Sequence, residues 1–88
     1  MNKIPELERV LKALANKRRL MIVRLLLAKR KVSVSDIADH LKLSMAATSR
    51  HLRQLAGADL VDTEQINTTV NYSLVRDNEI ISILKLND

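Results

Sequence analysis

Ser49, Arg50 and Arg53 lie within Leu43-Ser44-Met45-Ala46-Ala47-Thr48-Ser49-Arg50-His51-Leu52-Arg53-Gln54-Leu55, a segment whose apolar residues recur at helical spacing. A guanidinium carries paired donors that match the two acceptors on the major-groove edge of guanine, and a serine hydroxyl can donate or accept. The chemistry these residues offer is therefore reading hydrogen-bonding edges rather than making bonds. Bond-making chemistry has little to work with. Two His, no Cys, and carboxylates scattered over helix starts and a hairpin give no nucleophile and base at a usable spacing, so no enzyme is expected.

Within this segment Arg50 is the leading candidate for a base contact, with a phosphate contact or a solvated charge as its plainer role. Arg53, one turn on, suits a phosphate, and Ser49 with Thr48 could add base contacts. His51 could bond either a phosphate or the domain's own backbone. Ser44 is a cap whatever the function, and the free amides of the helix start it caps can also hold a phosphate. Met45 and Ala46 can touch thymine methyl groups but cannot form paired hydrogen bonds to adenine or guanine. Lys42, in the preceding turn, is a further phosphate candidate.

The surrounding sequence supplies the elements that would hold this helix. Pro5 opens a first helix in which Leu7, Val10, Leu11 and Leu14 share a side. Asn16 caps a second, running to about Lys29 and apolar on most sides, which makes it the central helix. Arg30 to Val34 alternates as one short strand. Ser35 is expected to cap the next helix, with Asp36 and Asp39 opposing the positive end of its dipole. Leu43-Ser44 forms a tight turn into the Arg50 helix, which ends near Gly57 to Asp59. Residues 60–66 and 70–75 alternate as two strands around a tip of Asn67, Thr68 and Thr69. A last helix over 77–88 places Ile80, Ile83 and Leu84 on one face.

The expected fold is thus mostly α with a small β-hairpin, in the order α-α-(β)-α-α-β-β-α, forming one domain over 1–88. At this length only about 60 to 65% of the unfolded chain's surface can be buried, so a monomer is marginal. Leu7, Val10 and Leu11 with Ile80, Ile83 and Leu84 offer a face that a second copy could cover, making residues 1–15 and 77–88 dimerisation helices. With one Tyr and no Phe or Trp, the core must be aliphatic.

The net charge of +5 is uneven, since residues 1–30 hold nine basic and two acidic side chains while 61–88 hold two and five. A basic end suits a polyanion, although a solvated face rich in lysine explains any single positive run as well. Lys29, Arg30 and Lys31 sit where positive charge favours a helix terminus in any case. The stretch from Leu20 to Ala28 is too short to span a bilayer and the N-terminus lacks signal-peptide order, so a cytoplasmic location without membrane partners is expected.

These elements and their wording resemble the ArsR/SmtB family of winged helix-turn-helix repressors. Leu11-Lys12-Ala13-Leu14-Ala15 followed by Arg19-Leu20-Met21-Ile22 matches the family's opening pattern. Leu43, Ser44, Ser49, His51, Leu52 and Leu55 match its recognition helix, and Leu60-Val61 with Tyr72-Ser73-Leu74 match its hairpin. The likeness covers residues 7 to 86. It implies a helix-turn-helix over 36–56, a wing over 60–75, and a homodimer that reads an inverted repeat in double-stranded DNA and represses by covering a promoter. It also implies that Lys17, Arg18 and Arg19 frame the fold rather than touch DNA.

The pattern departs from the family in three places. Ser33 and Ser35 stand where metal-sensing members carry Cys-x-Cys, and a serine hydroxyl does not ionise near neutral pH. The last helix offers Asp77 and Glu79 but no His, while Asp36 and His40, four apart, are more simply local neighbours. No metal or other cofactor is expected, and the sequence names no inducer. Met45 and Ala46 replace the usual Gln and Ser, and the tip lacks the usual Gly and Arg. These last changes keep a second reading open, in which the winged helix binds protein or RNA with little sequence-specific contact to DNA.

Overall fold

The structure, a computed structural model, describes residues 3–75, and the helix expected over 77–88, with Ile80, Ile83 and Leu84, lies outside the described residues. Helix α1 spans Ile4–Leu14 with Pro5 in its first turn, where the missing amide is not needed. Helix α2 spans Lys17–Lys29 and is capped by Asn16, whose Oδ1 accepts from the Arg18 amide at 2.9 Å and the Arg19 amide at 3.1 Å. Strand β1, Lys31–Ser33, leads into α3, Val34–Leu41, and then α4, Met45–Gly57. Strands β2, Val61–Ile66, and β3, Thr69–Leu74, complete an antiparallel sheet in the order β1-β3-β2.

Three boundaries differ from expectation. The cap of α3 is Ser33, whose Oγ accepts from the Asp36 amide at 3.2 Å, and Ser35 lies inside the first turn. Strand β1 therefore stops one residue early, Val34 is already helical, and the helix-turn-helix runs over 34–57. The hairpin turns on Asn67 and Thr68 alone, because Ile66 pairs with Thr69 and makes the latter the first residue of β3. Asn67 takes a φ of 57°, a conformation asparagine tolerates, so the turn closes without glycine.

The core gathers around α2, which buries Ile22, Val23 and Leu26. Ile37 and Leu41 from α3 and Leu52 and Leu55 from α4 close over it. Each such aliphatic side chain, once withdrawn from water, contributes about 1.5 to 3 kcal/mol. Tyr72, opposite Val32 on β1 and Thr63 on β2, packs partly buried against the same core and ties the sheet to the helices. Leu60 is fully buried just before β2, and the Val75 amide donates to its carbonyl at 3.0 Å, which locks the base of the hairpin.

Two arginines finish the frame. Arg18 Nη1 donates to the Leu41 carbonyl at 2.8 Å, at the end of α3, and Arg19 Nε donates to the Ala13 carbonyl near the end of α1. Both satisfy carbonyls that a helix terminus leaves without an internal partner. Helix α1 itself sends only Ala13 and Leu14 into the core. Val10 packs partly buried against that core, so it does not share the outer face on which Leu7 and Leu11 are about half exposed.

Candidate nucleic-acid interface

The α3 to α4 turn fixes the candidate site. Lys42 ends α3 in the left-handed conformation, at φ 58°, and its amide bonds back to the Ala38 and Asp39 carbonyls. This sharp stop lets Leu43 tuck in half-buried while Ser44 opens α4, its Oγ accepting from the Ala47 amide at 3.1 Å. The serine satisfies one amide of the first turn; the dipole at this end favours a negative partner.

Of the nine α4 and turn residues considered as DNA contacts, Lys42, Ser44, Met45, Ala46, Arg50 and Arg53 are exposed. Ser49 and His51 are half-buried beside them. Thr48 is the exception. It is fully buried, lying four and seven residues before Leu52 and Leu55 on the inner face, and is withdrawn as a contact. The steps of four and then three residues from Thr48 to Leu52 and Leu55 are the helical signal that places it inside.

The Thr48 hydroxyl has no hydrogen-bond partner among the described residues, so its desolvation is uncompensated. Thr48→Val keeps the shape and removes the polar atom. The expected result is a gain of roughly 1 to 2 kcal/mol, seen as a higher urea midpoint at unchanged slope.

His51 is turned to a side chain rather than to the domain's backbone. Its Nδ1 lies 3.4 Å from Nη1 of Arg19, the side chain that also binds the end of α1. Burial, then the charges of Arg19, Arg50 and Arg18, hold the imidazole below the usual histidine value of 6.5. The neutral ring, with Nδ1 accepting from the guanidinium, is the form that fits near pH 7. A lowered folded-state pKa contributes stability that is present above the unfolded value and lost as the pH falls below it. Melting temperature should therefore decline between pH 7 and pH 5, and His51→Gln should flatten that decline. An unchanged profile in the variant would remove His51 as its source.

The wing is nearly free of basic charge. Lys31 on β1 reaches across β3 to Glu64 on β2, Nζ to Oε1 at 2.7 Å, which neutralises its cation. Asp62, Thr63, Glu64, Gln65 and Ile66 are exposed along β2, and the Gln65 amide donates to the Asn67 carbonyl at 3.2 Å. Asn67, Thr68 and Thr69 thus present polar, uncharged groups. Ser33 and Ser35 are occupied with each other, Ser33 Oγ and Ser35 Oγ standing 3.2 Å apart while the first caps α3.

Comparison with known proteins decides what this arrangement belongs to. Residues 14–64 match a family described as a helix-turn-helix domain. The transcriptional activator HlyU of Vibrio cholerae is 43% identical over 65 residues, a match spanning 74% of this chain and 59% of that protein. The solved HlyU structure superposes with a TM-score of 0.85 at 36% identity, over 93% of this chain and 87% of that one. The cadmium resistance regulatory protein CadC of Listeria innocua is 30% identical over 93% of this chain and 68% of its own length. The chain belongs to the ArsR family.

ArsR-family members are winged helix-turn-helix transcriptional regulators rather than enzymes, and the α3 to α4 pair is the part of this member that carries the name. A second similar solved structure, from Mycobacterium bovis, is described as the homodimeric winged helix-turn-helix DNA-binding domain of a possible ArsR-family regulator; it superposes with a TM-score of 0.85 at 30% identity, over 94% of this chain and 75% of that one. Among the described residues no helix is long and apolar enough to cross a membrane, and no three His, Cys, Asp or Glu side chains converge.

Proposed function

We propose that this ArsR-family chain acts in the cytoplasm as a homodimeric repressor that reads an inverted repeat in double-stranded DNA. The observation that carries the reading is the division of α4 into two sides, one buried through Thr48, Leu52 and Leu55, the other exposing Met45, Ala46, Arg50 and Arg53 from a capped helix start. Arg50 and Ser49 read base edges in the major groove, while Met45 and Ala46 contact thymine methyl groups. Lys42, Arg53 and the Ser44 helix start hold phosphates, and Asn67, Thr68 and Thr69 make at most shallow polar contacts. His51 supports the helix from behind.

Two subunits joined through Leu7 and Leu11, with residues 77–88, would set their α4 helices about one DNA turn, roughly 34 Å, apart. Promoter coverage then gives repression. HlyU is named an activator, and with the same contacts the sign of regulation follows from where the operator lies relative to the promoter. The Ser33 and Ser35 hydroxyls make a thiolate metal signal unsuited to this chain, which leaves constitutive repression or release by another kind of ligand or partner.

Binding to a duplex selected from random sequence should weaken linearly on a log scale as salt rises, with a slope of about −0.9 for each phosphate contact. A module built for protein contact would bind weakly at every salt concentration. That outcome would replace the DNA reading with the second one.

A further inference from the structure

Helices α1 and α4 leave an open groove of about 450 Å³ between them, lined by Arg9 and Lys12 on one wall and Arg53, Gln54 and Gly57 on the other. Arg53 and Gln54 follow Arg50 by one helical turn and Gly57 by two, so the groove continues the exposed side of α4. Its charge is mostly positive. Glu8 is the one acid among the lining residues and stands 3.9 Å from Lys12, while Arg9 and Arg53 have no ion-pair partner among the described residues.

Gly57 is the only glycine of the chain, and neither backbone nor packing explains it. It has no positive φ, and a Cβ built there would meet nothing within 4 Å. In a helix, glycine in place of alanine costs up to about 1 kcal/mol. What its missing side chain does is keep the wall of a cationic groove open down to the backbone, as a ligand approaching that backbone would need.

We propose that this groove is a phosphate seat for the DNA backbone beside the half-site, with Arg9, Lys12 and Arg53 supplying the charge and Gly57 the clearance. The proposal rests on the DNA reading given above and extends the footprint of each subunit beyond α4 onto α1. It favours DNA over a free anion because the groove is open to solvent and its Arg53 and Gln54 wall lies one helical turn from Arg50.

The test uses the full chain and its selected duplex. Arg9→Ala and Lys12→Ala should each make the salt slope shallower by about 0.9 and lower affinity several-fold, with base preference unchanged. Gly57→Ala should raise the melting temperature yet weaken binding several-fold. The combination separates a seat from a structural role. The proposal falls if the two cation variants keep the parental slope, or if Gly57→Ala binds as tightly as the parent. It also falls if millimolar pyrophosphate alone shifts the Gly57 amide resonance and Arg9→Ala and Lys12→Ala abolish that shift without altering DNA binding, which would make the ligand a free anion. Should Arg50→Ala also leave binding and base choice untouched, the failure belongs to the DNA reading itself.

Discussion

Arg50→Ala is expected to relax base preference by about 1 to 3 kcal/mol, a loss of roughly 5- to 150-fold in discrimination at one base pair of each half-site. The side chain is exposed on α4, nearer the capped helix start than Arg53, and its guanidinium can pair bidentately with guanine. Arg50→Lys should recover charge but little of the discrimination, because an ammonium is a point donor without the fork. Selection of bound sequences by the parent and both variants would check this. A variant that selects the same site as the parent would move Arg50 to the phosphates.

The second large effect is expected at α1. Ile4, Leu7 and Leu11 leave an apolar strip on its outer side, with exposures of 70%, 46% and 50%. Replacing Leu7 and Leu11 by Glu places two charges where a second copy is proposed to pack. Sedimentation should then report a monomer, and affinity for a two-site operator should fall on the order of 100-fold or more, because each half-site contact no longer raises the effective concentration of the other. Binding to a single half-site should change little. A charged variant that stays dimeric would place the interface elsewhere.

Local signals in the sequence account for most of the fold. Asn16 and Ser44 cap the helices they precede, and Asp59 takes the left-handed turn after α4, at φ 58°. Where sequence reading slips, two local patterns compete. Ser33 belongs both to a β-branched alternation and to a Ser-x-x-Asp helix start with Asp36, and the helix start takes Val34 from the strand. Thr69 looks like a tip residue until the left-handed Asn67 shortens the turn to two positions.

The site is legible where it follows helical spacing and illegible where it depends on partners distant in the chain. Exposure of Arg50 and Arg53 follows from the leucines opposite them. The contact between His51 and Arg19 joins positions 32 residues apart, and that between Arg18 and Leu41 joins positions 23 apart, so only the packed helices bring them together. The same holds for the groove, whose two walls come from α1 and α4, far apart in the sequence. Thr48 is different, since its periodicity was open to reading and its polarity masked it.

Arg19 grips the tail of α1 with one edge of its guanidinium and approaches the imidazole of His51 on α4 with another. In the proposed dimer on DNA, the distance between the two half-sites and the tilt of each reading head would be geared to a single planar group. A lysine there has one nitrogen to offer and would leave one of the two anchors empty, freeing the heads to swing independently of the pair's spacing.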